Sequence, residues 1–94
     1  MRIVAIDSSG LVASVAILEN DSILATYSVN YKKTHSQTLL PMLQEIMQMT
    51  EFDKTTIDAI AVAKGPGSFT GLRIGSATAK GLGLALGKPI IEVP

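Results

Sequence analysis

The chain has no cysteine, a single histidine and no surplus of charge. Without cysteine there is no disulfide scaffold and no Cys-based metal or redox centre. Eight basic residues cancel eight acidic ones, so no general attraction to nucleic acid or to an anionic membrane is expected. Long apolar runs are missing too. The run after Arg2 is short and Asp7 interrupts it, unlike a signal peptide, and the longest helical segment carries Arg73 and Lys80, unlike a membrane span. The expectation is a soluble cytoplasmic protein with no membrane partner. At 94 residues the chain can bury one modest core.

What is present is a pattern of alternating element types. Arg2-Ile-Val-Ala-Ile6 is a continuous apolar run, which predicts a strand buried on both faces, and Asp7-Ser-Ser-Gly10 breaks it with turn residues. Val12 to Leu18 and Ser22 to Val29 predict two further strands joined by a short hairpin at Glu19-Asn20-Asp21. In the third strand Ile23, Ala25, Tyr27 and Val29 alternate with polar residues, which predicts one exposed face. A helix is expected from Thr34–Ser36 to about Thr50, with Thr34 or Ser36 as its cap. Ile57 to Ala63 predicts a fourth strand, Thr70 to Leu86 a second helix stopped by Gly87 and Pro89, and Ile90 to Val93 a fifth strand. The order βββαβαβ implies a five-stranded mixed α/β sheet, as in ribonuclease H-like lobes. Lys88-Pro-Ile-Ile-Glu-Val-Pro94 reads as a strand just begun, so residues 1–94 are expected to be one lobe of a longer, two-lobe protein.

Two stretches invite a functional reading. Lys64-Gly-Pro-Gly-Ser-Phe-Thr-Gly-Leu-Arg-Ile-Gly75 joins a strand to a helix through glycines, the order that places backbone N–H groups around an anion. Neither nucleotide motif is met. Thr70 stands where a dinucleotide fingerprint places its third glycine, and no Gly-Lys-Ser/Thr follows at Walker spacing. Gly65, Gly67, Ser68 and Thr70 therefore remain candidates either for a phosphate or for a tight turn capped by Ser68 or Thr70. Asp7, at the carboxyl end of the first strand, joins Ser8 and Ser9 as a second candidate phosphate loop. Its side chain could equally cap the turn.

The other stretch is apolar beyond what one sheet needs. Gly71, Gly75, Ala79 and Gly83 recur every four residues, although helical glycines each cost about 1 kcal/mol relative to alanine. The ridge suits close packing, on the chain's own sheet or on another molecule. In the first helix Leu39, Leu43, Ile46 and Met47 form one stripe, with Met42 and Met49 off it, so something besides the sheet is expected to cover this helix. His35 has no histidine four residues on, where Leu39 stands, so no metal site is expected.

Together, Val4-Ala-Ile-Asp-Ser-Ser, Thr34-His-Ser-Gln-Thr-Leu-Leu-Pro, the glycine-rich stretch from Asp58 onward and Ala77-Thr-Ala-Lys-Gly-Leu closely resemble the bacterial TsaB (YeaZ) family. The resemblance covers nearly the whole chain. It implies an actin-like ATPase fold within the glycoprotease-like superfamily, and a role in making threonylcarbamoyladenosine in tRNA. It further implies a non-catalytic subunit without a cofactor, since the catalytic relative, TsaD, carries metal through His-x-x-x-His. Implied partners are a TsaD-like subunit, a TsaE-like ATPase in the same complex, and a second copy when the chain is alone, with tRNA met only indirectly. Carried onto this sequence, the partner surface falls on Leu39, Met42, Leu43, Ile46 and Met49, and on Gly71, Gly75 and Ala79. An actin-like phosphotransferase or a peptidase centred on Asp7 is the alternative.

Overall fold

A computed structural model describes residues 1–8, 10, 12–30, 35–65 and 69–94, excluding the side chains of 35–37 and 69. Five strands and two long helices follow in the expected order: β1 (Arg2–Asp7), β2 (Ala13–Glu19), β3 (Ser22–Val29), α1 (His35–Met49), β4 (Ala59–Ala63), α2 (Phe69–Leu86) and β5 (Ile90–Val93). They form one sheet in the order β3-β2-β1-β4-β5. β1, β2 and β3 pair antiparallel, and β4 and β5 run parallel to β1. The candidate caps Thr34, Ser36 and Ser68 lie outside the described residues or side chains.

Strand alternation decides which side chains meet the helices. Val4 and Ile6 on β1, Val15 and Ile17 on β2, and Ile60 and Val62 on β4 are paired across the sheet and all buried. They share one face because every second residue of a strand points the same way. Leu39, Met42, Leu43 and Ile46 of α1 and Ala79 of α2 complete the same cluster. The opposite face is different. Ile3 and Ala5 are only half-buried, so β1 is covered on one side and not on both as its apolar run predicts. No described element packs on that second face.

β3 departs from its sequence pattern at one place. Ile17 pairs with Ala25 while Leu18 pairs with Ile23, so Leu24 is an extra residue opposite no partner. Such a bulge reverses the facing of everything beyond it. Ala25, Tyr27 and Val29 pack against the core as the alternation predicts, whereas Ile23 is turned away and is 65% exposed. The β2–β3 turn is built on Asn20 and Asp21, both at positive φ, the twist a two-residue hairpin requires.

At the end of α1 the Phe52 amide donates to the Met47 carbonyl at 2.8 Å and the Glu51 amide to Gln48 at 3.2 Å. This is the paired capping pattern that needs a left-handed residue, and Glu51 supplies it at φ 53. A side chain with a Cβ costs roughly 1 kcal/mol or more there. Glu51→Gly should therefore stabilise the chain by about 0.5–1 kcal/mol, after the entropy glycine loses on folding. Urea unfolding would show this as a higher midpoint with an unchanged slope. Beyond the cap, Asp53 accepts hydrogen bonds from the backbone and side chain of Thr55, which hold its carboxyl below the usual range. The chain then turns once through Lys54–Thr56 before β4, so Ile57 is a buried residue ahead of the strand and not its first member.

The loop edge and the outer helix faces

The carboxyl ends of the neighbouring parallel strands β1 and β4 lie side by side. Asp7 is exposed, and Ser8, directly after it, is 2% exposed and the one buried polar side chain among the described residues. Its Oγ donates to the Gly71 carbonyl in the first turns of α2, at 2.6 Å. Gly75 faces the same hydroxyl. A Cβ at Gly75 would stand 2.4 Å from Ser8 Oγ and 3.4 Å from Val62 Cγ2. The absence of a side chain at Gly75 thus makes a notch, and Ser8 fills it. Gly75 serves the chain's own β1–α2 contact, and the Gly71 carbonyl accepts from Ser8.

Ser9, Gly67 and Ser68 lie outside the described residues, Gly65 is half-buried at φ 139, and Thr70 is exposed. Beside them a cavity of about 270 Å³ lies between α2 and β5, lined by Val62, Ala63, Leu72 and Ser76 with Lys64, Arg73 and Glu92. Lys64 Nζ and Glu92 Oε2 are 3.2 Å apart across it, both well exposed. Among the described residues no three His, Cys, Asp or Glu side chains converge. The imidazole of His35 lies outside the described side chains.

The residues expected at a partner surface are corrected by the structure. Leu39, Met42, Leu43 and Ile46 are each no more than 4% exposed, and Ala79 is fully buried. Gly75 faces the sheet, and Gly83 does too, with Lys88 and Ile90 against it, while Gly71 is buried. The small-residue ridge therefore takes the first of its two readings, close packing on the chain's own sheet. Met42 belongs to the buried arc because it lies three residues from Leu39 and four from Ile46, positions that share a helix face. Of the residues named for the surface, Met49 is the exposed one, at 76%.

The outward faces carry other side chains. α1 exposes Leu40, Gln44, Glu45, Gln48 and Met49, and α2 exposes Arg73, Ala77, Lys80, Gly81 and Leu84. Leu84 is 88% exposed, and nothing lies within 4 Å of a Cβ placed on Gly81. Among the described residues nothing packs against this mid-helix glycine. Its sequence signal was legible: Ala77, Gly81 and Leu84 recur at helical spacing half a turn from the inner ridge.

Across the α1–β3 junction the Tyr27 hydroxyl hydrogen-bonds Glu45. The carboxylate's charge, then the bond itself, raise the phenol above its usual value of 10.0. A raised folded value means that the contribution to stability is complete below the unfolded value and is lost as pH rises through the folded one. In a Tyr31→Phe background the absorbance titration of Tyr27 should have its midpoint above that of a free tyrosine. Adding Glu45→Gln should return it towards the ordinary range.

The helices pack on one face of a 3-2-1-4-5 mixed sheet, and both loops sit at the carboxyl ends of parallel strands. That is an α/β lobe of the ribonuclease H-like, actin-like class. The family model for TsaD, tRNA N6-adenosine threonylcarbamoyltransferase, matches residues 22–94, and the chain belongs to this family, on its TsaB (YeaZ) side. It is 41% identical over 93 residues to the tRNA threonylcarbamoyladenosine biosynthesis protein TsaB of Escherichia coli, covering 99% of this chain and 40% of that one. To TsaB of Bacillus subtilis it is 39% identical, covering 99% of this chain and 41% of the relative. The solved structure of YeaZ from Pseudomonas aeruginosa superimposes with a TM-score of 0.90 at 34% identity, over 99% of this chain and 44% of that one. The chain thus spans about two fifths of the length of these relatives. No helix among the described residues is long and apolar enough to cross a membrane.

Proposed function

We propose that this chain is the amino-terminal lobe of a non-catalytic subunit of the machinery that makes N6-threonylcarbamoyladenosine in tRNA. Its task is to dock on a TsaD-type catalytic subunit. The observation that carries this reading is the division of labour within α2. The helix's inner glycines are consumed by Ser8 and the sheet, while its outer face leaves Ala77, Gly81 and an almost fully exposed Leu84 with no use inside the chain. An exposed apolar patch on a pair of adjacent helices is the kind of surface a protein partner covers. The names of the relatives supply the pathway.

The absence of catalysis is supported by Leu39, buried in the core at the position where a metal-binding His-x-x-x-His would place its second histidine. It is supported also by Ser8, whose hydroxyl is committed to Gly71. The same outer faces would pair two copies when no partner is present. A TsaE-like ATPase joins through the complex, tRNA is met through the catalytic subunit, and the setting is the cytoplasm. The reading is tested by mixing the chain with a TsaD-type subunit and separating by size. Co-elution supports it. Magnesium-dependent ATP binding by this chain alone, abolished by Asp7→Ala, would favour an actin-like enzyme instead.

A further inference from the structure

We infer that Ser8 is a positioning residue that locks the carboxyl end of β1 to α2, so that this strand end and the outer helix face move as one unit. The docking half of this inference rests on the reading proposed above. Three observations carry it. Ser8 is buried at the carboxyl end of the central strand, although Asp7 before it and Gly10 after it are exposed. Its hydroxyl donates to a carbonyl 63 residues away in sequence, inside the first turns of a helix. And the space it occupies exists only because position 75 lacks a Cβ.

The Gly71 carbonyl is also the acceptor that the α-helical ladder assigns to the Gly75 amide, four residues on. A carbonyl oxygen has two lone pairs, and Ser8 takes the second. The serine therefore grips the helix at the same carbonyl that holds its first full turn together. An axial slide or rotation of α2 either breaks the Ser8 bond or drives a neighbouring Cα substituent into the hydroxyl. On the other side of the helix stand Ala77 and Lys80. A partner seated there fixes α2, and through Ser8 it fixes the carboxyl end of β1, where Asp7 stands.

The test is an NMR titration of the chain with a TsaD-type subunit, run on wild type and Ser8→Ala. In wild type the amide signals of Ala77, Asp7 and Gly10 should all shift with partner. In Ser8→Ala the Ala77 shift should persist while those of Asp7 and Gly10 are lost. Shifts at Asp7 and Gly10 that survive in Ser8→Ala, or that are missing in wild type while Ala77 responds, would overturn the lock.

Should Ala77 fail to respond at all, the docking proposal falls, and hydrogen exchange of the free chain decides the lock. Loss of one buried hydrogen bond should then speed exchange at the Gly75 amide about fivefold in Ser8→Ala, and an unchanged rate would refute it. The pair Ser8→Ala/Gly75→Ala guards against a folding artefact. With the hydroxyl gone, the new Cβ meets Val62 at 3.4 Å and the position-8 Cβ at 3.7 Å, ordinary contacts. The double variant should fold where Gly75→Ala alone is impaired, and equal damage in both would count against the contact.

Discussion

Gly75→Leu is expected to destabilise the fold itself by several kcal/mol, not to detach a partner from an intact fold. Two effects oppose one another. Replacing a helical glycine gains about 1 kcal/mol in helix propensity. Against this, the first atom of the new side chain stands 2.4 Å from Ser8 Oγ, inside a layer that also holds Val62. Forcing extra methylenes into such a space typically costs 1–3 kcal/mol or more. Displacing Ser8 leaves its buried hydroxyl and the Gly71 carbonyl without each other, about 1–3 kcal/mol again. The losses win, and a domain of this size has roughly 5–15 kcal/mol in total. Far-UV circular dichroism against temperature would show a thermal midpoint many degrees lower, or no cooperative transition. A variant as stable as wild type would mean that Gly75 does not face Ser8.

Leu84→Glu is expected to do the opposite: leave the fold unchanged and remove the partner. The side chain is 88% exposed, so a charge there stays solvated and the stability of the free chain should move by less than about 0.5 kcal/mol. In a complex that covers the outer face, the same carboxylate would be buried opposite apolar atoms, with only Lys80 a helical turn away. An unpaired buried charge costs several kcal/mol, and 3 kcal/mol corresponds to roughly a hundredfold in affinity. Isothermal titration with a TsaD-type subunit, together with a urea melt of the variant alone, would check both halves. Undiminished binding would move the interface elsewhere. The contrast between the two positions is the useful result: one side of α2 is structural and the other is available.

Much of the architecture was legible because the relevant signals are periodic. Apolar runs bounded by Asp7-Ser-Ser-Gly10 and by Glu19-Asn20-Asp21 mark strands, and the stretch from Leu39 to Met47 marks a helix, whatever surrounds them. Three matters were not legible, each for a physical reason. A ridge of small residues such as Gly71, Gly75 and Ala79 packs equally well against its own sheet or a foreign surface, so spacing alone leaves its direction open. The presence of Ser8 in the notch depends on bringing together residues 63 apart, which no local pattern records. The facing of Ile23 depends on one extra residue in β3, and that register is set by pairing with β2, not by β3's own alternation. The apolar arc of α1 is its core face, and the quieter one, with Leu40 and Met49, is its outside.

The central claim is that the outward faces of α1 and α2 exist to be covered by a TsaD-type subunit. Its most direct test is the mass of an equimolar mixture of the two proteins by light scattering, with wild type and Leu84→Glu measured side by side. Wild type should give the summed mass of one chain of each, and the variant two separate species. Two separate species with the wild-type chain would contradict it.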